Sequence, residues 1–388
     1  MGHVECMEIP PSTVAARWRP NLPIDFSLHT ETVNTSRGPG QSMFTDTDVF
    51  DAEIGTIFQQ EWIAVTREEQ LPNPGDYITY QFYADPIVLA RSKSGVINAF
   101  SNVCLHRACP FAQDSPIAEG ARNTKLFVGP NHKWTYELDG QLRGAPDKEQ
   151  AADFDRSASL PQLHVEVWRG WVFINASKNP APLAGSLKDI DERLAPFAPE
   201  ALKTAGILHY KSPWNWKVLV ENFIAPYHHM GPHADTLNGL YPHKSPYPAY
   251  PAYPAYQSES YLMLENPSID ESIASSFWVG LIYPNTMFAL SRYPEKPILG
   301  WHQFDIHSIA SFDLNIHALR PQSMIDDGSA KVVLDTYAVV HGEDIPVCDG
   351  VWQGVQSSYH QSERLSHLEG WVWDFHEYLS RKLSPNVA

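Results

Sequence analysis

Apolar residues near the start of the chain recur with a helical period. Between Ser42 and Trp62 they lie three and four residues apart, after Asp and Thr residues that can cap a helix. The apolar positions are Val49, Phe50, Ile54, Ile57 and Phe58. The pattern predicts a helix there, and related patterns predict helices over 187–197 and 215–227.

The period then changes to one typical of β-strands. Short segments rich in Val, Ile, Phe and Tyr are separated by Gly, Pro, Asp and Ser, as in antiparallel sheets. The strand-like segments are 77–82, 87–91, 96–100, 125–128 and 168–175. We predict a small all-β unit that ends near Val165, and the last of these segments is predicted to form one further strand.

The second half of the chain mixes both patterns. Segments 278–283, 304–317 and 331–340 are rich in strand-forming residues and are predicted to be antiparallel strands. The final stretch, 344–383, is predicted to be helical. The chain is therefore predicted to have an α+β fold, with a small all-β domain and a larger domain of antiparallel sheet and helices.

A repeat of Pro, Ala and Tyr occupies 246–256. A polyproline II helix has three residues per turn, so the tyrosines of this repeat would lie along one edge. One interpretation is a semi-rigid surface loop. The other is an aromatic lid over an active site, because the repeat closely follows a group of histidines.

Composition indicates a folded protein that avoids anionic partners. Of 388 residues, 43% are hydrophobic, and the formal net charge is −17. Such a charge disfavours nucleic acid and anionic lipid surfaces, and no run approaches the roughly 20 apolar residues of a membrane helix. We therefore expect no nucleic-acid or membrane partner and a cytoplasmic location. The cysteines, too few for a disulfide scaffold, are Cys6, Cys104, Cys109 and Cys348.

The first candidate site lies in two loops of the predicted β unit. Cys104-Leu-His106-Arg-Ala-Cys109-Pro is followed by Gly129-Pro-Asn-His132-Lys-Trp-Thr-Tyr. These loops resemble the Rieske domain of ring-hydroxylating oxygenases, in which two thiolates hold one iron of a 2Fe-2S cluster and two imidazoles hold the other. The resemblance implies cluster-ligand positions at Cys104, His106 and His132.

The fourth ligand position departs from the family pattern. Gly129 stands where the second cysteine is expected, and Lys133 replaces the usual glycine after the histidine. Cys109 resembles an additional cysteine of respiratory Rieske proteins, which forms a disulfide there and does not bind iron. We therefore expect the 2Fe-2S cluster to be absent, with Cys104, His106 and His132 as remnant ligands.

The second candidate site follows the predicted helix 215–227. Glu-Asn-Phe-Ile-Ala-Pro-Tyr-His-His-Met-Gly-Pro-His, residues 221–233, resembles the catalytic signature of the same family. The resemblance implies that His228 and His233 bind Fe(II) with one carboxylate. Residues five apart on a continuous helix point in directions about 140° apart, so the helix must end between them. The adjacent His229 is a weaker candidate ligand.

The third ligand is expected far downstream. Gly342-Glu-Asp-Ile-Pro-Val-Cys-Asp-Gly-Val-Trp-Gln-Gly resembles the family segment that supplies an aspartate. The resemblance implies Asp344 as the ligand, with Asp349 and Asp235 as alternatives. Asn222 and Tyr227, which lie in the first signature, are the candidate catalytic residues.

A second departure concerns electron delivery to the iron. In the family, an acid three residues before the first histidine connects the cluster of one subunit to the iron of its neighbour, whereas this chain has Ala225. Together with Gly129, this change indicates a retained iron centre that works without an internal cluster. Its chemistry would be either oxygen-dependent or redox-neutral.

These observations lead to three functional hypotheses. The main one is a non-haem Fe(II) enzyme that acts on a small organic substrate, aromatic substrates included, without a functional cluster. The alternatives are a conventional Rieske oxygenase subunit with an atypical cluster and a reductase partner, and a non-catalytic structural subunit. A reductase or ferredoxin is expected only if the cluster is present.

The resemblance also implies a domain organisation and an assembly. We expect an N-terminal segment, 1–43, that packs on the catalytic domain, a Rieske-like domain at 44–165 and a helix-grip catalytic domain at 166–388. Family subunits form head-to-tail trimers, so a homotrimer is expected.

Overall fold

The computed structural model describes residues 22–114, 120–148, 151–243, 256–266, 268–270, 272, 276–291 and 293–384. The described chain divides into two compact units. The first consists of residues 59–181, and the second consists of the described residues up to 58 together with those from 182 onward. The predicted boundaries at 43/44 and 165/166 therefore differ from the limits of these units.

The first unit is built from two antiparallel sheets. Within its described residues, one sheet has seven strands in the order β1-β10-β9-β4-β3-β2-β5, and a smaller one has the order β6-β7-β8. The strands are β1 (Ile63–Arg67), β2 (Asp76–Phe82), β3 (Asp85–Arg91), β4 (Ile97–Ser101), β5 (Arg122–Asn123), β6 (Phe127–Val128), β7 (Thr135–Tyr136), β8 (Leu142–Gly144), β9 (Gln162–Trp168) and β10 (Trp171–Asn175). Edge-on aromatic contacts fill the core, where Phe127 meets Tyr77, Phe100 and Phe111.

The end of this unit differs from the prediction. Segment 168–175 was predicted to be a single strand, but it contains the turn of a hairpin and its second strand, β10. Arg169 and Gly170 both have positive φ and join β9 to β10 in a tight turn. Both strands belong to the seven-stranded sheet, so the β unit extends beyond Val165. The Arg-Gly pair inside an apolar run was the overlooked turn signal.

The second unit packs helices on another antiparallel sheet. In the part of it that the structure describes, seven strands follow the order β11-β17-β16-β15-β14-β13-β12. The strands are β11 (Lys203–Ser212), β12 (Tyr256–Gln257), β13 (Tyr261–Asn266), β14 (Phe277–Ile282), β15 (Thr286–Ser291), β16 (Leu299–Ser308) and β17 (Ser311–Arg320). The α-helices are α1 (Ser42–Thr45), α2 (Thr47–Glu53), α3 (Leu183–Ser186), α4 (Lys188–Leu194), α5 (Trp216–Ile224), α6 (Gln322–Asp326), α7 (Ala330–Val355) and α8 (Gly370–Leu383). The predicted α+β class is confirmed.

The helix predicted near the start is present but interrupted. Asp46 ends α1 and caps α2 by accepting hydrogen bonds from the backbone N–H groups of Asp48 and Val49. A π-helical turn, Ile54–Phe58, completes the element. Its apolar side is buried, as the helical spacing predicted.

Helix α5 belongs to the same unit as α2, and polar contacts hold the two helices together. Asn215 caps α5 by accepting from the backbone N–H of Lys217. The buried ammonium of Lys217 donates to Glu53 of α2 over 2.5 Å, and the indole N–H of Trp216 donates to the same carboxylate over 2.9 Å. These bonds fix the start of α5 and therefore the helix that leads into the second candidate site.

Three predictions in the second half need correction. Segment 331–340, predicted to be a strand, lies within α7. Segment 344–383 is divided between α7 and α8, with residues 356–369 outside either helix. Segment 304–317 contains parts of two strands, because the chain turns between β16 and β17.

The residues of α7 are intrinsically strand-prone, but packing overrides that preference. A Cβ at Gly206 of β11 would lie only 2.5 Å from Cδ1 of Leu334, so the helix approaches the sheet closely where the strand has no side chain. On the exposed side, Lys331 and Asp335 form an ion pair over 2.6 Å at helical spacing.

Two further predictions concern membranes and the Tyr repeat. Along the described residues, no helix is both long and apolar enough to cross a bilayer. The repeat at 246–256 lies outside the described residues except for its last residue, which begins β12.

Candidate metal centre

The chain turns sharply after α5, and that turn orients the two candidate histidines. The α-helix ends at Ile224, and Pro226 begins a 3-10 helix, Pro226–Met230, that carries His228. Gly231 follows, and His233 lies beyond it. The helix therefore ends before the first histidine, because Pro226 cannot supply the backbone N–H that continuation requires.

The turn brings both imidazoles to one aspartate of α7. Nε2 of His233 lies 3.0 Å from Oδ1 of Asp344, and Nε2 of His228 lies 3.6 Å from the same oxygen. Ligand atoms of the three residues all lie within 4.8 Å of one another. Among the described residues, this is the one group of three or more His, Cys, Asp or Glu side chains arranged in that way.

Hydrogen bonds fix which nitrogen of each imidazole faces the aspartate. Nδ1 of His228 donates to the backbone carbonyl of Ala225 over 2.6 Å. Nδ1 of His233 donates to Glu343 over 2.7 Å, and the same carboxylate oxygen accepts from the hydroxyl of Thr236. Because both Nδ1 atoms are committed as donors, it is Nε2 of each imidazole that faces Asp344 and can offer a lone pair to a cation.

The buried atoms match the needs of a bound cation. Nε2 of His233 is buried and faces Oδ1 of Asp344 over 3.0 Å, the arrangement expected of a nitrogen and an oxygen that bind one cation. Two imidazoles and one carboxylate are the ligands of a non-haem Fe(II) site with open positions. The three side chains therefore fit a single ferrous ion.

Electrostatics keeps Asp344 ionised. Burial raises the pKa of this carboxyl group, but His233, His228 and a hydrogen bond from Asn222 outweigh burial and hold the pKa below its usual value. The amide of Asn222 donates to Oδ1 over 2.8 Å. Asn222, predicted to be catalytic, thus contacts the predicted third ligand.

The two histidines differ in their protonation. Burial lowers the pKa of His228 despite the opposing charge of Asp344. Burial also opposes protonation of His233, but Asp344 and Glu343 outweigh it and raise the pKa of His233. In the metal-free chain, a proton is therefore held between His233 and the two carboxylates, where a cation would compete with it.

The three residues lie at the wall of a cavity of about 380 Å³. Its walls are mostly apolar and include the rings of Phe223, Tyr241, Phe277 and Tyr337. Among the described residues that line it, Asp344 is the one with a carboxylate, and none is Lys or Arg. The arrangement suits a small molecule with an apolar body beside the metal position.

Other predicted residues lie away from the three-residue group. Tyr227 is 37% exposed and is not among the described residues that line the cavity. It directly precedes His228 on the 3-10 helix, and consecutive side chains of such a helix point in different directions. His229 lines the cavity, but its Nδ1 donates to the carbonyl of Tyr241 and the residue does not join the group. Asp235 and Asp349, the alternative third ligands, do not join it either.

The first unit brings the rings of two of the three predicted cluster-ligand residues into contact. The rings of His106 and His132 are 4.3 Å apart, and Trp134 stacks on His106 at 5.0 Å. The hydroxyl of Tyr136 lies 3.2 Å from Sγ of Cys104. Burial and the Cys104 contact raise the pKa of Tyr136, so this hydroxyl stays protonated beside the sulfur.

Gly129 occupies the place of a second thiol. A Cβ added to Gly129 would lie 3.4 Å from Sγ of Cys104. A cysteine at this position would therefore direct its sulfur towards Cys104. Among the described residues, Cys104, His106, Cys109 and His132 include no three whose ligand atoms all lie within 4.8 Å of one another.

Sequence reasoning missed three polar residues of the second site. Glu343 lies in the Glu-Asp signature and was assigned no role, although it accepts a hydrogen bond from His233. His302 and His341 line the cavity and were not selected. Helical spacing from Asp344 would have identified His341, but the preceding segment was predicted to be a strand.

Fold and site together define a two-unit, iron-binding protein of the oxygenase type. The family profile described as Rieske [2Fe-2S] domain matches residues 61–163. The carnitine monooxygenase oxygenase subunit of Acinetobacter pittii (strain PHEA-2) is 31% identical over 274 residues, covering 69% of this chain and 71% of that protein. The chain belongs to the Rieske non-haem iron oxygenases, and it is an oxidoreductase that depends on non-haem iron.

Further comparisons agree with this assignment. The glycine betaine monooxygenase oxygenase subunit of Chromohalobacter salexigens is 35% identical over 201 residues, covering 52% of this chain and 44% of that protein. The apo structure of the quaternary ammonium Rieske monooxygenase CntA matches with a TM-score of 0.73 at 23% identity, covering 88% of this chain and 95% of that one. Naphthalene 1,2-dioxygenase with bound indole matches with a TM-score of 0.71 at 18% identity, covering 92% and 98%. These two structural matches show a shared fold.

The comparisons correct one expectation. We expected the 2Fe-2S cluster to be absent and its site to be degenerate, but the Rieske profile matches across the whole cluster-binding region. The expectation gave too much weight to Gly129 at one ligand position. It gave too little weight to the residues around Cys104, His106 and His132.

Proposed function

We propose that the chain is the oxygenase subunit of a Rieske-type system, in which His228, His233 and Asp344 bind one Fe(II) that oxidises a small substrate. The observation that carries the proposal is the convergence of these ligand atoms within 4.8 Å at the wall of the cavity. When bound, a ferrous ion with open positions activates dioxygen for insertion into organic substrates.

The surrounding residues position the ligands and exclude water. Glu343 and the carbonyl of Ala225 hold the two imidazoles through Nδ1, while Asn222 holds the carboxylate. Such neighbours orient metal ligands and fix their tautomers. The apolar lining of the cavity limits the water that can reach the metal position.

We propose a quaternary ammonium compound as the substrate class. The relatives with the highest similarity reported above are named for carnitine and glycine betaine. Four aromatic rings line the cavity without a competing Lys or Arg among its described lining residues. Aromatic faces attract quaternary ammonium groups through their quadrupole, and a cationic side chain would repel them.

Neutral aromatic compounds are a second candidate substrate class. The mostly apolar lining favours it, because a hydrocarbon ring needs no charged partner. A side-by-side turnover assay with iron-loaded enzyme, oxygen and reductant separates the classes. We expect oxygen-dependent loss of a trimethylammonium compound, and oxidation of indole or toluene alone would contradict the first choice.

We also propose an atypical cluster held by Cys104, His106 and His132. These are three ligands where a conventional cluster has four, so the described residues do not fit the usual cluster fully. The Tyr136 hydroxyl beside Cys104 and the Trp134 ring on His106 support retention of the site. The system then includes a reductase partner and, as in the family, a homotrimer.

Metal analysis tests this proposal. One cluster and one mononuclear site together give about three irons and about two acid-labile sulfides per chain. We expect these values after anaerobic purification, with a reducible visible absorption. About one iron without sulfide would contradict the atypical cluster and would leave the second site intact.

A further inference from the structure

Two histidines that are not part of the metal site line the same cavity. His302 lies on β16 and is 7% exposed, and His341 lies on α7 and is 5% exposed. His341 precedes Asp344 by three residues, so both side chains lie on one face of the helix. This places His341 about one helical turn from the metal position.

Both imidazoles carry a buried nitrogen that has no partner. Nδ1 of His302 and Nε2 of His341 have no hydrogen bond within the described part of the chain. The rings themselves are held by aromatic neighbours: Phe223 and Tyr337 contact His302, and Tyr210 contacts His341 at 4.4 Å. Buried polar atoms in native proteins nearly always have a partner, so these two nitrogens can accept one that the described residues do not supply, such as a bound molecule.

The two side chains offer hydrogen bonds without charge. Burial, and next the neighbouring His341, lower the pKa of His302 to about 3. Burial also lowers the pKa of His341. A neutral imidazole has one donor and one acceptor nitrogen, which matches a hydroxyl, carbonyl or carboxylate oxygen.

We propose that His302 and His341 form a subsite that hydrogen-bonds an oxygen substituent of the substrate. The aromatic walls hold the apolar or cationic body of the substrate, and the pair selects molecules that carry oxygen at the matching position. The inference rests on the proposed function in taking this cavity as the substrate site. It does not depend on whether the body of the substrate is cationic or neutral.

Matched ligand pairs test the proposal on the iron-loaded enzyme without oxygen. Choline and propyltrimethylammonium differ by a hydroxyl in place of a methyl, and benzyl alcohol and ethylbenzene differ in the same way. In a pair that binds, we expect the compound with the hydroxyl to have a Kd lower by about tenfold or more. The reason is that its hydroxyl makes hydrogen bonds that the methyl of the other compound cannot make.

Variants assign the preference to the pair. In His302→Phe, the two Kd values of a pair should differ by less than about threefold. His302→Gln keeps a donor and an acceptor, so it should retain part of the preference for the hydroxyl compound. His341→Phe should act in the same direction. Val340→Ala, which changes the wall without changing hydrogen bonding, should affect both members of a pair alike. An unchanged iron–nitrosyl EPR signal shows that each variant is folded around the metal.

Three outcomes would overturn the proposal. The first is equal binding of both members of a pair by the unaltered enzyme, as expected if water already satisfies the nitrogens. The second is an unchanged ratio of Kd values in His302→Phe. The third is no binding of any of the four compounds. A preference for benzyl alcohol without any binding of choline would overturn the quaternary ammonium class and support the subsite.

Discussion

At the scale of single residues, the second site depends on groups that do not touch the metal position. Glu343 accepts from Nδ1 of His233 and from Thr236, so it fixes the orientation of one ligand. Ala225 has lost the family's acid, but its carbonyl accepts from His228. A backbone atom thus orients the ligand where a side chain has disappeared.

Replacing Glu343 should therefore weaken metal binding. Partners of metal-ligating histidines typically contribute a factor of about 10–100 in metal affinity, and we expect a loss in this range for Glu343→Gln. Anaerobic Fe(II) titration measures it. Asp349→Asn, on the same helix and outside the ligand group, is the control. Equal affinity of Glu343→Gln and the unaltered chain would contradict the orienting role.

His302 should make the protein sensitive to acid. The pKa of His302 is about 3 in the folded chain and about 6.5 when unfolded. Burial and, next, His341 lower the folded value, while the backbone of Gly300 and Asp344 raise it. Because the folded value is the lower one, the unfolded chain binds the proton first, and stability is lost as pH falls below about 6.5.

Urea unfolding at two pH values measures this effect. Between about pH 7.5 and about pH 5, His302 should account for a loss of about 2 kcal/mol in the free energy of unfolding. His302→Gln should remove that part of the loss. His307→Gln, at the exposed end of the same strand, should not. A pH dependence that is identical in His302→Gln and the unaltered chain would contradict burial of a neutral imidazole.

At the scale of elements, the position of α5 decides where the metal ligands lie. The sequence predicted this helix and the need for it to end before His233. It also predicted both histidines and Asp344, because their spacing matches a family signature. The structure adds that Pro226 ends the helix before the first histidine.

The first half of α7 is the part that sequence patterns missed. The β-branched residues of 331–340 favour a strand, whereas in the fold Leu334 packs closely on Gly206, a long-range contact that no local pattern contains. Missing the helix also concealed His341, whose relation to Asp344 is visible only at helical spacing. The hairpin at Arg169 and Gly170 was missed for a local reason, since it is a turn signal inside an apolar run.

The buried ion pair between α2 and α5 should be essential for stability. Lys217→Met leaves the carboxylate of Glu53 buried beside only the Trp216 indole, and removal of one partner of a buried pair costs about 3–5 kcal/mol. Chemical unfolding measures the loss. Lys217→Met combined with Glu53→Leu should recover much of it. Equal stability of the single and double variants would show that the carboxylate has other compensation.

At the scale of the whole molecule, each of the two units carries one predicted metal-binding arrangement. The second unit brings its three predicted iron ligands together, whereas the predicted cluster ligands of the first do not form a group of three ligand atoms within 4.8 Å among the described residues. Sequence reasoning selected both sets of residues. It misjudged the first because a single glycine does not reveal how much of the surrounding structure is retained, such as the Tyr136 contact with Cys104.

Restoring the fourth ligand should increase cluster content. In Gly129→Cys, the new Cβ lies near Sγ of Cys104, so its thiolate can bind the same iron. We expect more acid-labile sulfide per chain and a stronger reducible absorption than in the unaltered protein. Gly129→Ser, of similar size without a thiol, should not show the increase. Equal sulfide in all three proteins would contradict the placement of Gly129.

The most direct test concerns the iron held by His228, His233 and Asp344. Nitric oxide converts mononuclear Fe(II) in such sites to a high-spin iron–nitrosyl species that EPR can count apart from any cluster. We expect about one such centre per chain, and its loss in Asp344→Ala with the sulfide content unchanged. A full signal in Asp344→Ala, or none in the iron-loaded unaltered protein, would contradict the assignment.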